Sequence, residues 1–266
     1  MKGYISALVC VIILLTLSAC GPKRSDFIQD TEAEVRWRIF EGLSSKEPAY
    51  DVLSGSLRFG PASDTRRVTY LLWSGLSEGE DASKNHARAV RLEISAGIGV
   101  TFAKALFSDR HMTIVIPQEK NAFIGRETEQ NISALLGLPL PMSMERLNDF
   151  LAGRYLSALD ATAPERYESE DGGDIVYRYE TNGLPAELTL NAQALPVRWK
   201  LAGHWDLTIG YDEELRPYKL DGRMQSTQGE LRMVLLVKER RQETELSASS
   251  LILDIPTDFQ VYDLDQ

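Results

Sequence analysis

Chemistry in this 266-residue chain would have to begin with its three histidines, its two cysteines or its 39 acidic residues. His86, His111 and His204 stand far apart and none has a partner four residues on. No helix can therefore present two imidazoles to one metal ion. An isolated histidine is a packed or surface residue more often than a ligand. The carboxylates are scattered or gathered in DATAPERYESEDGGD, residues 160–174, and form no identifiable pair for general acid–base work. Gly97-Ile98-Gly99 begins like a dinucleotide fingerprint, but the position of the third required glycine is Phe102, and no βαβ pattern surrounds it. There is no phosphate-loop lysine motif and no G-x-S-x-G elbow. The expectation is a protein that is not an enzyme and takes no cofactor and no metal.

The cysteines lead elsewhere. Lys2 is followed by an apolar run from Tyr4 to Leu17 and then by Leu17-Ser18-Ala19-Cys20. A basic start, an apolar core and small residues before a cleavage point make a secretory signal peptide. The run is short for a span, which needs roughly 20 apolar residues. The tetrapeptide resembles the lipobox of bacterial lipoproteins, in which the cysteine is acylated and becomes the first residue. The alternative is a transmembrane anchor that contains Cys20. With residues 1–19 removed and Cys20 lipidated, no free thiol or disulfide remains. The expected organisation is a signal peptide over 1–19, a lipidated tether over 20–30 and one domain over 31–266.

Net charge points the same way. It is −10, and loss of the signal peptide removes one basic residue, Lys2, and no acidic one. An acidic chain is poorly suited to bind nucleic acid or an anionic membrane through its overall charge.

The elements that must hold any site are mostly strands. Thr31-x-x-Glu34 resembles a capping box, and Val35, Ile39 and Leu43 follow at helical spacing, with Trp37 and Phe40 widening the stripe. Strands are expected in RRVTYLLWSG, AVRLEIS, GVTFAKALFS and HMTIVIP, where apolar residues alternate. Two short helices then interrupt. Ile132, Leu135 and Leu136 precede Gly137 as a C-cap, and a second helix starts near Ser143 with Met144, Leu147, Phe150 and Leu151 on one face. Residues 160–174 read as a surface loop. IVYRYE, AELTLN, PVRWKLAG, WDLTIGY, RPYKLDGRM, GELRMVLLVKER, ELSASSLILDIP and FQVYDL then complete an antiparallel sheet. Between two of the strands, Ile98 sits at a glycine-hinged tip. Two readings stay open: it folds back onto the sheet, or it is exposed.

From Leu53 to Tyr155 the chain resembles the LolA/LolB-like family of outer-membrane lipoprotein carriers and receptors. The resemblance rests on LSGSLRF, VTYLLWS, the hairpin RLEISAGIGVTFAKA and the elbow LLGLPLPMSMERLNDFLAG, with Leu136, Gly137, Pro139, Pro141, Leu147, Phe150 and Gly153 in family order and spacing. It implies a mainly β (α+β) fold, an unclosed antiparallel half-barrel with helices lidding an apolar cavity. Leu71, Trp73, Leu135, Leu136, Leu147, Phe150 and Leu151 become the cavity and lid candidates, and Ile98 the membrane-insertion residue. Implied partners are acyl chains of lipoproteins or other lipids, the outer membrane through the anchor on Cys20, and a periplasmic LolA-like donor, with no nucleic acid. The expected function is a lipid-anchored carrier or receptor on the periplasmic face of the outer membrane. A non-carrier scaffold of the same fold is the alternative, and a hydrolase with no visible site is a third class.

Overall fold

The computed structural model describes residues 30–43, 52–61, 63–76, 88–97, 99–170, 172–226, 229–242 and 251–265. Among the described residues, fourteen strands form one unclosed sheet. The first half runs β1 (Val52–Pro61), β2 (Arg66–Leu76), β3 (Arg88–Ala96), β4 (Val100–Ser108), β5 (His111–Ile116) and β6 (Asn121–Arg126). The second half runs β7 (Arg166–Ser169), β8 (Ile175–Thr181), β9 (Leu184–Leu190), β10 (Pro196–Leu201), β11 (Trp205–Tyr211), β12 (Pro217–Ser226) and β13 (Gly229–Arg241). The halves are joined by antiparallel pairing of β1 with β13, so the sheet order is β14-β6-β5-β4-β3-β2-β1-β13-β12-β11-β10-β9-β8-β7. Every neighbouring pair is antiparallel except the last-added edge strand, β14 (Gln260–Asp263), which lies parallel to β6. That one edge aside, the sheet is antiparallel, as expected.

Alternation decides which side is core. Leu53, Leu57 and Phe59 on β1, Tyr70 and Leu72 on β2, and Leu92 and Ile94 on β3 point to one face and are buried. Period-2 patterning puts their sequence neighbours on the opposite face. Near the junction of the halves, the β1–β13 register shifts between Ser54 and Gly55, with Lys238 of β13 as the extra residue. A side chain at Gly55 would meet the Leu236 carbonyl oxygen at 1.9 Å, so only glycine fits there.

Helix α1 (Asp30–Leu43), α2 (Glu129–Leu136), α3 (Met144–Leu151) and α4 (Tyr155–Leu159) complete the described elements. Thr128 caps α2 by accepting from the Asn131 amide, and Gly137 ends it at φ +62°. Ser143 caps α3 by accepting from the Arg146 amide. Both boundaries stand where the sequence placed them. On α1, in contrast, the core side is Ala33, Arg36, Trp37 and Phe40, while Val35 and Ile39 are about half exposed. The aromatic pair outweighs the two β-branched residues because it carries far more area to bury.

Two further expectations change. Within the acidic stretch, Arg166–Ser169 forms β7 and pairs with β8, where Arg178 bonds Glu168 and Glu187. The described part of ELSASSLILDIP, residues 251–256, is not a strand; Leu251 is buried and the Ile252 carbonyl accepts from Arg91 of β3. No helix among the described residues is long and apolar enough to cross a membrane.

Candidate functional site

The sheet presents one apolar face, and helices rather than a second sheet cover it. On α1, the Trp37 ring lies 5.1 Å from Tyr177 and 5.1 Å from Phe40, and Phe40 stacks 6.2 Å from Tyr155. On α3, Met144, Leu147, Phe150 and Leu151 are buried, and Phe150 meets Tyr155 edge-on at 5.2 Å. Tyr155 thus joins the two covers. Burying a large apolar side chain contributes about 1.5–3 kcal/mol, so the four residues of α3 account for most of its attachment.

Polar ties fix each helix. Arg36 is only 7 % exposed. Its guanidinium donates to the Gly173 carbonyl at 2.7 Å, the Leu190 carbonyl at 3.3 Å and the Glu32 carboxylate at 2.7 Å. Tyr177 donates to the Ala33 carbonyl at 2.9 Å, and burial pushes its hydroxyl up to about 12, so it stays a donor. At α3, the Glu127 carboxylate accepts from the Met144 amide at 2.6 Å. Burial lifts Glu127 to about 7 against the pull of that amide. Glu145 is raised too, by burial first, although the Asp109 amide donates to it. Asp149 anchors the far side, accepting from Arg88 at 2.8 Å, from Arg154 and from the Ser157 hydroxyl at 3.1 Å.

Between sheet and helices the large side chains are fully buried. Phe107, Phe150, Tyr177, Leu188, Leu207 and Leu220 expose 0 % of their surface. Two polar groups in this apolar setting have no partner among the described residues. The Asn148 Oδ1 atom, on a side chain 2 % exposed, and the Trp205 indole N–H, on one 4 % exposed, are both buried and unbonded. An orphaned buried group costs about 1–3 kcal/mol, so two of them on facing layers require a reason. Together they offer an acceptor and a donor.

The predicted site residues divide. Leu136, Leu147, Phe150 and Leu151 are buried in the core and Leu135 is partly buried against it. Leu71 and Trp73 are a correction. They pair across the strand with Glu93 and Arg91 on the outer face, and the Arg91 guanidinium sits 5.2 Å over the Trp73 ring. The inward residues of β2 are Tyr70 and Leu72, because one step along a strand reverses the face. Cys20 and Ile98 lie outside the described residues. The flanking Gly97 and Gly99 have φ of +53° and +81°, the left-handed backbone that favours glycine, and the next residue, Val100, is 46 % exposed. His111 and His204 are exposed, at the start of β5 and in the β10–β11 turn. Among the described residues no group of three or more His, Cys, Asp or Glu is placed to hold a metal.

Arg36, Tyr177, Asn148 and Trp205 were not anticipated. For Asn148 a signal existed: it lies four residues after Met144 and three before Leu151, inside the apolar stripe.

No protein-family model matches the chain, and no curated protein matches it. Solved structures do share its fold. A DUF1329 family protein from Desulfovibrio piger superposes with a TM-score of 0.53 at 12 % identity, covering 82 % of this chain and 96 % of its own. A LolA superfamily protein from Nitrosomonas europaea gives 0.51 at 13 % identity, with 82 % and 97 % covered. A domain named for outer-membrane lipoprotein sorting, from Vibrio parahaemolyticus, gives 0.53 at 16 % identity, with 82 % and 97 % covered. The fold is LolA-like: one large unclosed sheet with a few helices.

Proposed function

We propose that this chain is a lipid-anchored envelope protein, facing the periplasm, that receives acyl chains between the inner face of its sheet and helices α1 and α3. The observation that carries the reading is two buried polar atoms without a partner among the described residues, Asn148 Oδ1 on the cover helix and Trp205 Nε1 on the sheet. A pure hydrocarbon core has no use for them. An acylated ligand has: its ester or amide carbonyl can accept from the indole N–H, and an amide or hydroxyl on the head can donate to the carboxamide. The LolA-like fold and the sorting role named for the Vibrio domain support the same reading. Three chains of about sixteen carbons, at ~0.8 kcal/mol per buried CH₂, could not cross water unaided. Because helices α1 and α3 cover the inward face with buried side chains, acyl chains enter in this scheme as a helix swings outward. The Cys20 lipobox supplies the anchor in this scheme, and Ile98 the tip that meets the bilayer.

A second reading has its own support. The 0 % exposure of the interior aromatics suits a scaffold with a finished core. An acyl-chain fluorophore titrated into the chain from residue 21 onward separates the two. The carrier reading expects micromolar binding, displaced by a triacylated lipopeptide and weakened in Phe150→Glu, which puts an unpaired carboxylate into the interior. Absence of binding at micromolar protein would leave the scaffold.

A further inference from the structure

The outer face of the sheet, away from the helices, carries charge of the wrong sign for so acidic a chain. Two adjoining depressions of about 410 and 400 Å³ share Tyr218, Lys219 and Asp221 and run across β10, β11, β12, β13, β1 and β2. At about 4.8 Å between neighbouring strands, six strands make a trough about 24 Å wide. Six cations line it: Arg58, Arg67, Arg198, Lys219, Arg223 and Arg232. Two carboxylates, Asp206 and Asp221, line it with them. Asp206 is engaged by Arg198, and Asp221 by Arg232 at 2.9 Å and Lys219 at 3.4 Å. The lining thus carries four more cations than carboxylates, on a protein whose net charge is −10.

The register makes the excess harder to dismiss. Arg58 stands directly opposite Arg67 across the β1–β2 pair, and Arg223 directly opposite Arg232 across β12–β13. Like charges placed directly opposite on a sheet are destabilising. Arg58 and Arg67 are exposed and make no ion pair among the described residues, while Arg223, also exposed, stands opposite Asp206 across β11–β12. The floor between them is aliphatic, from Val234 and Leu236, and Tyr218 stands at its centre 39 % exposed.

We infer that this trough docks the phosphate-bearing headgroups of anionic phospholipids at a bilayer surface. Guanidinium groups fit phosphate oxygens in a two-pronged way that ammonium groups do not, and two arginines side by side leave both forks free for one phosphate. A tyrosine over aliphatic side chains suits the boundary between headgroup and acyl layer. The breadth of the trough suits an array of headgroups better than a single soluble anion. The acidic remainder of the molecule turns the basic face toward such a surface and keeps free polyanions away. The inference does not rest on acyl-chain binding, which concerns the opposite face of the sheet.

The test uses the full chain reconstituted in nanodiscs of phosphatidylcholine, or of the same lipid with about a third phosphatidylglycerol. Arginines are labelled with phenylglyoxal and read peptide by peptide in a mass spectrometer, with the exposed Arg110 of the β4–β5 turn as internal control. Docking predicts that Arg58, Arg67 and Arg223 label about fivefold more slowly in the anionic discs while Arg110 does not change. In Arg58→Ala/Arg67→Ala, which relieves a repulsion and should fold, the protection of Arg223 should fall away. Equal labelling in the two discs would overturn the proposal. So would protection by added inorganic phosphate without protection by phosphatidylglycerol, which would make the ligand a free anion. Protection in phosphatidylcholine discs that grows with protein concentration would assign the trough to a second copy, and would overturn it equally.

Discussion

Asn148 places a carboxamide on the buried side of a cover helix, between Met144 and Leu151. If its role is to meet a ligand, it costs stability whenever the ligand is away. Asn148→Leu should therefore raise the unfolding free energy of the unliganded protein by about 1–3 kcal/mol, and should weaken fluorophore binding at the same time. Urea melts and titrations on one sample check both; a variant that is less stable and binds normally would make Asn148 a structural residue. Glu127 gives a second prediction. Its folded-state value of about 7 lies above the ordinary 4.5, so the folded protein holds a proton that the unfolded chain releases. The resulting stability is complete below the unfolded value and is lost as pH rises through about 7. Glu127→Gln keeps a carbonyl for the Met144 amide and removes the buried charge. The variant should be more stable than the parent above neutrality by on the order of 2 kcal/mol, with a flatter pH dependence down to about pH 5. Melts at both ends of that window decide it, and an unchanged slope would remove Glu127 from the account. At this scale the sequence was only partly readable. Leu147, Phe150 and Leu151 declared themselves through spacing, but VTYLLWS has apolar residues on both faces, so nothing in it separated Tyr70 and Leu72 from Leu71 and Trp73.

At the scale of elements, the covers differ in how they are held. Helix α3 is fixed by four apolar side chains and a doubly satisfied N-terminus, from Ser143 and Glu127. Helix α1 depends on Arg36, whose guanidinium ties it to Gly173 and Leu190 across the far half of the sheet. Arg36→Met preserves most of the buried stem and strands those carbonyls. It should cost about 1–3 kcal/mol and raise amide exchange along residues 30–43 before that of α3. Uniform acceleration over the whole sheet would mean that α1 does not open separately. The same two helices explain what could be read in advance. For α3 the cap, the stripe and the closing turn agree with one another. For α1 the stripe through Val35, Ile39 and Leu43 competes with Ala33, Trp37 and Phe40, and only the sheet beneath it, with Tyr177 offering a ring and a hydroxyl, selects the second set. Strand β7 was illegible for a related reason: it is four residues long and exists because the edge of β8 was available to pair with. Strand β14 was foreseen in FQVYDL, but not its parallel pairing with β6.

For the whole molecule the account joins an anchor, a bilayer-facing surface and a covered apolar face. Cys20→Ser should abolish incorporation of labelled palmitate in cells, and undiminished labelling would end the lipobox assignment. The antiparallel sheet was foreseen through period-2 patterning and its unclosed, helix-covered form through the family resemblance, whereas the packing of the interior was not legible, because apolar strands look alike over a cavity and over a core. The central claim is that acyl chains enter between the sheet and helices α1 and α3. The most direct measurement is photo-crosslinking with a fatty acyl probe carrying a diazirine at its terminal carbon, followed by mapping of the labelled peptides. The account predicts crosslinks on inward residues of α3 and of the sheet, such as Leu147, Phe150, Phe107 and Leu188, competed by unlabelled lipopeptide. Crosslinks confined to outward residues such as Leu71, Trp73 and Val234, or none that lipopeptide competes, would contradict it.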